Sequence, residues 1–560
     1  MINISIKKSK KLKTEESIFV SFPYKASYVQ GVKSLGIRFW HPETKCWETS
    51  IENLPNLLNI FEGEEIMLSG ENKEYVPTLK KVTNRDLPNI KLKTTPMKHQ
   101  IEAAKSLLNT NRLILGDQAG TGKTLSYIMA ALARKELDGY KHTLIICGVN
   151  ILKWNWVSEI NKHTYEEGYI IGQRVNTKGK TYIGSTKDKL YDLENLPDNY
   201  FLITNIETLR NEELSSKLKD LCNKKLINFV ILDESHVCCS PSAKQTKGWM
   251  SLEPECRGLA TATPLMNKPL DLWAPLHWLK VEPHNFHQFK MHYAKMGGYG
   301  GHEVIGYKYL EDLQSDLNSV LLRRLKKDVL DLPEKINTIE YLDMEDDQQK
   351  LYDSVYNNIQ SNIDKIILMP NPLTAMLRLR QVTSNPDILV SNEVSCAKIN
   401  RLDMLLEERV QNEKVVVVSN WTQVTDRLVD RYKKYNPAVI TGQIKDNEKQ
   451  IQQNKFQTDD TCRILIGTIK SMGTGITLTA ASTMIYVDEP WNYAVKEEQC
   501  SERIYRIGTK TNVEIITLIN RNTIDERIHQ IIEDKKDIGE YIVDGVTKDK
   551  KEKLVNFLMS

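Results

Sequence analysis

Hydrophobic positions along the chain change their period in blocks. In residues 1–90, Tyr28, Val29, Val32 and Leu35 repeat at helical spacing and stop at Gly36, which predicts a helix. Ile37–Trp40 and Cys46–Thr49 flank the turn HPETK as a strand–turn–strand, and Leu54 to Phe61 reads as a second amphipathic helix. This block is a small α+β module. The polar stretch ENKEYVPTLKKVTNRDLP follows as a linker that lets the module sit at a distance from the rest. From Pro96 the pattern becomes short β-branched runs separated by amphipathic helices. Arg112–Leu115, Thr143–Cys147, Phe201–Thr204 and Phe229–Leu232 read as buried parallel strands. Residues 268–395 lose this rhythm and read as mainly helical. Strands return at Val415–Ser419, Ala438–Thr441, Ile464–Thr468, Met484–Asp488 and Glu514–Leu518, and the closing KDKKEKLVNFLMS reads as a terminal helix. The predicted fold class is α/β, with two doubly wound lobes, helical material between them and the α+β module in front.

At 560 residues and 64.5 kDa the chain is too long for one core, and roughly 150 residues per domain makes three or four domains the expectation. A composition of 40% hydrophobic and 27% charged residues excludes disorder as the main state. No apolar run approaches the roughly 18 to 20 residues of a membrane span. The start, MINISIKKSKKLKTEES, has no secretory pattern, so a cytosolic protein with no membrane partner is expected, in a bacterial or phage-infected cell, or the nucleus if eukaryotic. Net charge is only +3, so bulk charge does not argue for nucleic acid. Residues 1–95 nevertheless carry 15 basic against 11 acidic side chains, with five lysines between Lys7 and Lys13. That cluster reads either as a solvated terminus or as a phosphate-contacting arm. Nine cysteines without any CxxC spacing, and with Cys238 beside Cys239, read as reduced thiols.

The segment GDQAGTGKT follows the strand RLIL and opens the helix LSYIMAALAR. A Gly-rich turn at a helix N-terminus aims backbone N–H groups at phosphate oxygens. In it, Gly120, Thr121 and Gly122 cradle phosphate, Lys123 reaches the β/γ-phosphates and Thr124 binds Mg²⁺. Asp117 stands where the general pattern has its first glycine. About 110 residues later NFVILDESH ends a strand in two acids: Asp233 for the Mg²⁺ shell, Glu234 to polarise a water. His236 is placed to contact the next motif. Gln499, Arg503 and Arg506, spaced by four and three, are predicted on one helical face.

These motifs resemble those of the Swi/Snf-like group of superfamily-two ATPases, from Pro96 to about Ile528. DESH resembles a DEAH-type box. PMKHQ, LATATPLMN, LLRRLKKDVLDLPEK, LRLRQVTSNP, KVVVVSNWTQVTDRL, GTIKSMGTGITLTAAS and EQCSERIYRIG follow the group's order. The resemblance implies two RecA-like lobes, at 91–283 and 396–530, a helical insertion at 284–395 and a helical tail at 531–560. It puts Gln100 on adenine and Gly475 at the nucleotide. It makes His236, Thr261, Thr263 and Gln499 coupling residues, and Arg503 and Arg506 catalytic arginines offered by the second lobe. It suggests phosphate contacts along duplex DNA from Asn150, Trp154, Thr204, Asn205, Thr468, Lys470 and Trp491. Arg323, Arg324, Lys326 and Lys327 flank an apolar stripe and read either as a DNA-facing basic set or as the wet face of an amphipathic helix. Ala262, Met266, Thr477 and Thr509 depart from the group's pattern, which touches coupling more than hydrolysis. Phe22, Tyr24, Val32, Lys33, Trp40 and Trp47 give the module a resemblance to the HARP-type domain of annealing helicases. The expected function is an ATP- and Mg²⁺-dependent, monomeric translocase on duplex DNA that remodels or reanneals branched DNA. The alternatives are a strand-separating helicase and a nucleotide-gated scaffold with little turnover.

Overall fold

In the computed structural model, β-branched runs become two parallel sheets, each buried on both faces. It describes residues 2–7, 9, 17–23, 25–35, 38–61, 66–70, 85–150, 152–179, 181–265, 268–297, 303–361, 373–390, 394–472, 476–491, 493 and 495–533. Most of the expected linker, the terminal helix at 548–560, Gly475, Met266 and most of the Lys7–Lys13 cluster lie outside these residues.

The module pairs β1 (Ile2–Lys7), β2 (Ser17–Ser21), β3 (Arg38–His41), β4 (Cys46–Ser50) and β5 (Ile66–Gly70) in the order β3-β4-β2-β1-β5. Helices α1 (Ala26–Ser34) and α2 (Leu54–Ile60) complete it around Val32, Leu57 and Phe61. β1 is an inner strand of this sheet: Ile2 and Ile4 are buried, and Lys7 is its last residue. The module also does not stand off. Arg38 pairs with Asp316 at 3.2 Å, Glu52 with Arg112, and Phe39 meets the ring of His284, so it rests on the first lobe.

The first lobe has helices α3 (Lys98–Asn109), α4 (Lys123–Asp138) and α5 (Leu152–His163). Its strands are β6 (Arg112–Leu115), β7 (Thr143–Cys147), β8 (Gly168–Ile170), β11 (Phe201–Asn205), β12 (Phe229–Asp233), β13 (Cys256–Ala260) and β16 (Leu321–Leu322); β9 (Gln173–Val175) and β10 (Thr181–Ile183) form a separate hairpin, as do β14 (Ala294–Gly297) and β15 (Glu303–Tyr307). The order β16-β6-β13-β12-β7-β11-β8 is parallel throughout. The two-residue period is visible in β7: Leu144 and Ile146 join one core, Ile145 and Cys147 the other.

The second lobe orders β17 (Lys335–Leu342), β18 (Lys414–Ser419), β19 (Ala438–Ile440), β20 (Ile464–Thr468), β21 (Ala481–Tyr486) and β22 (Val513–Asn520) as β17-β22-β21-β18-β20-β19, again all parallel. The described residues of 268–395 are mainly helical, as expected, but they also hold β14 to β17, which the pattern did not show. The period fails there because β16 is two residues long and β17 lies at a sheet edge with Ile336 and Ile339 exposed. All nine cysteines are free thiols, eight of them buried. Among the described residues no helix is long and apolar enough to cross a membrane.

Candidate functional site

Strand order decides which loops meet. β6, β13, β12 and β7 are neighbours, so the segments that leave their carboxyl ends lie side by side. Register is tight: Leu115 is opposite Ala260, and Asp233 is opposite both Ala260 and Cys147.

The loop 116–124 turns through left-handed backbone at Gly120 (φ +79) and Gly122 (φ +86), which only glycine takes without strain. It is braced from beneath by α3. The His99 ring bonds the Thr121 carbonyl at 2.8 Å, and the Gln100 amide donates to the same oxygen at 3.3 Å. The Gln100 carbonyl oxygen accepts from Met97 N–H, and a Cβ at residue 122 would lie 2.1 Å from its amide nitrogen. Gln100 is therefore buried under the loop, with both ends of its carboxamide engaged by protein. The Lys123 ammonium folds onto the carbonyls of Asp117 (2.7 Å) and Gln118 (3.3 Å), while Thr124 stands half-buried at the second position of α4. The unusual Asp117 has a partner: its carboxylate receives the Arg324 guanidinium at 2.5 and 3.1 Å.

Asp233 closes β12, and Glu234 follows in left-handed backbone at φ +50. One Asp233 oxygen accepts from the Glu234 N–H at 3.0 Å, the other from the indole N–H of Trp156 at 2.8 Å. Burial, then the neighbouring Glu234 charge, pushes the Asp233 carboxyl up to about 6. Hard oxygen donors at Thr124 and Asp233 suit Mg²⁺, which takes one or two protein oxygens and keeps its other positions for water and phosphate. A carboxyl made reluctant to ionise by a like charge is also one that a divalent cation would hold ionised. The residues present therefore fit that ion. His236 bonds Thr261 Oγ1 at 2.9 Å and lies 3.4 Å from Glu234; Thr261 Oγ1 also accepts from the Thr263 N–H at 3.0 Å. Burial lowers the imidazole to about 4, so it is neutral near pH 7.

The second lobe reaches across. Arg506 lies so close to the loop that a Cβ on Gly120 would meet Arg506 Cβ at 2.7 Å. Its guanidinium donates to Thr477 Oγ1 (3.0 Å) and the Ile476 carbonyl (3.3 Å). The departure at Thr509 is used too: its hydroxyl accepts from Arg506 N–H at 3.0 Å and donates to the Ile504 carbonyl at 2.8 Å. Burial and the neighbouring Arg503 lower Arg506 to about 10. Arg503 is buried as well, which lowers it, while the Glu234 charge from the other lobe opposes that shift. The expected single helical face for Gln499, Arg503 and Arg506 is corrected. A π-type turn (Val495–Cys500) and a 3-10 turn (Ser501–Arg503) carry the first two, and 504–508 is irregular. The side chain of Gln499 is outside the described residues.

The basic run at 323–327 is corrected more fully. β16 adds to the sheet beside β6, and three of the four basic side chains that follow it turn inward. Arg323 donates to the carbonyls of Gly116 (2.9 Å) and Ala262 (3.0 Å), and Arg324 also to that of His99. Lys326 bonds Gln118 Oε1 through its backbone N–H at 2.7 Å, and its ammonium contacts Glu502 and the Tyr505 carbonyl of the second lobe. Burial and four surrounding cations push it down to about 6. Lys327 alone of the four is exposed.

Of the expected DNA residues, Asn150, Trp154 (39%) and Lys470 are exposed. Thr204, Asn205 and Thr468 are not placed for direct contact: all three are buried. Thr204 bonds Thr208, Asn205 bonds Glu207 and receives Lys153, and Thr468 bonds Ser471. Trp491 packs on the cluster around Tyr352 and Ile528 with Arg380 stacked at 4.8 Å. Sequence reasoning missed Trp156, and it read Lys326 as part of a DNA-facing or solvated basic set rather than as a contact between the lobes. The helical period did carry a signal for Trp156, since Lys153, Trp156, Ile160 and His163 share the buried face of α5.

Residues 64–388 match the family model described as the SNF2-related domain, and 397–508 match the helicase conserved C-terminal domain. Residues 1–63 lie outside both. The chain is similar to an uncharacterized ATP-dependent helicase of Mycoplasma pneumoniae, 29% identical over 533 residues, covering 90% of this chain and 48% of that one. It is also similar to a putative ATP-dependent helicase/translocase of Bacillus subtilis, 25% identical over 453 residues, covering 77% and 46%. It thus spans about half the length of these curated relatives. Among solved structures, the Sulfolobus solfataricus SWI2/SNF2 ATPase core in complex with dsDNA aligns with 85% of this chain and 99% of its own, at 23% identity and TM-score 0.38.

Proposed function

The chain belongs to the SNF2-related family, and from that premise we propose that it is a DNA-dependent ATPase that translocates on duplex DNA and remodels or reanneals branched DNA. The observation that carries the reading is the seam between lobes: the loop 116–124 and the acids Asp233 and Glu234 come from one lobe, Arg503 and Arg506 from the other, with Arg506 lying on Gly120. A site split this way is complete only when the lobes close, so each turnover is tied to a relative motion of the two.

The residues take these parts. Gly120, Thr121 and Gly122 offer backbone N–H groups to phosphate, and Lys123 exchanges its loop carbonyls for the β/γ-phosphates. Glu234, half-exposed beside a neutral His236, accepts the proton of the attacking water. Thr124 and Asp233 would hold Mg²⁺, which supplies charge neutralisation across the phosphates when bound. Arg503 and Arg506 meet the charge that develops on the γ-phosphate oxygens. The Glu234–His236–Thr261–Thr263 chain joins the hydrolytic acid to the next loop of the same lobe. Gln100 braces the loop that takes the phosphates, and its engaged carboxamide would reach a base only by leaving that position.

The module is the part we assign to DNA structure. Trp40 is 43% exposed, with its ring centroid 5.1 Å from that of Trp47, and a half-open aromatic pair is suited to stack on unpaired bases. Contacts to phosphate should dominate elsewhere, making binding steep in salt and nearly blind to sequence. The test is phosphate release with single-stranded, duplex and forked DNA, paired with triplex displacement and strand-separation assays. Stimulation by duplex together with triplex displacement supports the reading. Turnover indifferent to all three DNAs sinks it, and strand separation without triplex displacement replaces it with a helicase.

A further inference from the structure

We infer that residues 148–156 grip the Asp233–Glu234 step at two points, so that nucleic acid held at Asn150 and Trp154 sets the aim of both carboxylates, with Trp156 as a positioning residue. The inference rests on the proposed DNA-dependent ATPase and adds the route by which DNA reaches the chemistry.

The first point is backbone. β7 runs beside β12 with Cys147 opposite Asp233, and the next N–H, that of Gly148, donates to the Asp233 carbonyl at 2.8 Å. A Cβ at residue 148 would meet the Asp233 and Glu234 carbonyl oxygens at 2.9 and 2.8 Å and Glu234 Cβ at 3.3 Å, so the approach requires glycine. The second point is a side chain. Trp156 is 2% exposed, and its indole N–H donates to Asp233 Oδ2 at 2.8 Å. With Oδ1 on the Glu234 N–H, each Asp233 oxygen has a fixed donor and the carboxylate plane is set. Glu234 itself holds left-handed backbone, which a residue with a side chain keeps only where its surroundings impose it. Gly148 is part of those surroundings.

Between the two points two side chains face outward. Asn150 is exposed, and Trp154, two residues before Trp156, projects from the opposite side of α5. The buried side is anchored again at Lys153, whose ammonium bonds Asn205 Oδ1 at the end of β11. A load on Asn150 and Trp154 therefore acts on a short span whose inner ends are both fastened to the catalytic step. An indole needing only a partner would be satisfied by any carbonyl; this one donates to an ionisable oxygen of the site.

Trp156→Phe keeps the ring and removes the N–H. In the full chain, we expect duplex DNA and a fluorescent ATP analogue to bind within about two-fold of wild type, while the DNA-stimulated kcat falls about ten-fold, the scale of a lost hydrogen bond to a charged group. Gly148→Ala presses on the same step from its backbone side and should give the same pattern. In protein labelled with 5-fluorotryptophan, the resonance absent from Trp156→Phe identifies this indole. It should shift when duplex is added without nucleotide, and that shift should vanish in Trp154→Ala. Full DNA stimulation in Trp156→Phe, or a Trp156 resonance unmoved by saturating duplex, overturns the grip. Loss of ATP binding in step with kcat makes the ring structural and overturns it too. A wild-type ATPase that ignores DNA removes the parent reading and the grip with it, an outcome distinct from a stimulated wild type matched by its variant.

Discussion

Both lobes end a central strand in two carboxylates, and the two strand ends are built in opposite ways. In the first lobe Asp233 is met by a neutral indole and by a second acid, and its carboxyl is pushed up to about 6. In the second lobe Asp488 and Glu489 follow β21 and are enclosed. Asp488 accepts from the Ser419 hydroxyl at 2.6 Å and from the Asn420 backbone at 2.9 Å. Glu489 pairs with Lys496 at 2.5 Å and His529 at 3.1 Å; burial pushes it up, but those two partners outweigh burial and hold it below the ordinary glutamate range. Beneath them Lys398, with no exposed surface, pairs with Asp525 at 2.7 Å. An acid matched by cations of its own lobe is structure. An acid set beside a like charge suits a cation from outside, and under the proposed function the other lobe and a divalent ion would be the sources.

The comparison is broken most directly at Glu234. Glu234→Gln removes the proton acceptor and should abolish turnover while leaving ATP binding and the fold intact, as should Lys123→Ala for turnover. Phosphate release and a nucleotide-binding titration check both, and near-normal turnover in either refutes the assignment. Next come the arginines on loan from the second lobe. Arg503→Ala and Arg506→Ala should each lower kcat by roughly 10³ or more, the scale of an arginine finger, and weaken ATP affinity far less. Equal losses in both constants would make them ground-state ligands.

The enclosed end should respond in stability instead. Lys398→Met leaves Asp525 buried without its cation and should cost about 3–5 kcal/mol in urea unfolding, with kcat per folded molecule little changed. The smallest effect lies at His236. Its imidazole ionises near 6.5 when unfolded and near 4 when folded, so between those values the unfolded chain binds the extra proton and stability falls as pH is lowered. The span corresponds to roughly 3 kcal/mol. His236→Gln should remove that part of the slope between pH 6.5 and 4, and a thermal-melt series showing identical slopes would contradict it.

Much of the site was legible because its chemistry dictates residue type locally. Only glycines at 120 and 122 take the loop's backbone without strain, and a parallel strand ending in acids is readable from four apolar residues. What escaped was set by partners distant in sequence. Asp117 looked like a flaw until Arg324, some two hundred positions later, arrived just beyond the end of β16. A basic run beside an apolar stripe looks amphipathic, yet Arg323 and Lys326 spend their donors on a loop the sequence does not place next to them. Thr204 and Asn205 sit where family likeness suggests phosphate contacts, but the network through Thr208, Glu207 and Lys153 buries them. Spacing alone put Gln499, Arg503 and Arg506 on one helix, while Thr509 and Thr477 hold an irregular turn.

The contact between Gly120 and Arg506 also joins two histories. Position 120 answers to its own loop through its dihedral angle and to a residue nearly four hundred positions away through space. A substitution that eased the first demand would still act as a wedge in the seam, and a shift of the turn around 506 would relax the second alone. Drift at either position is therefore filtered by the other, and the two lobes, though each folds around its own sheet, inherit their surfaces as a pair.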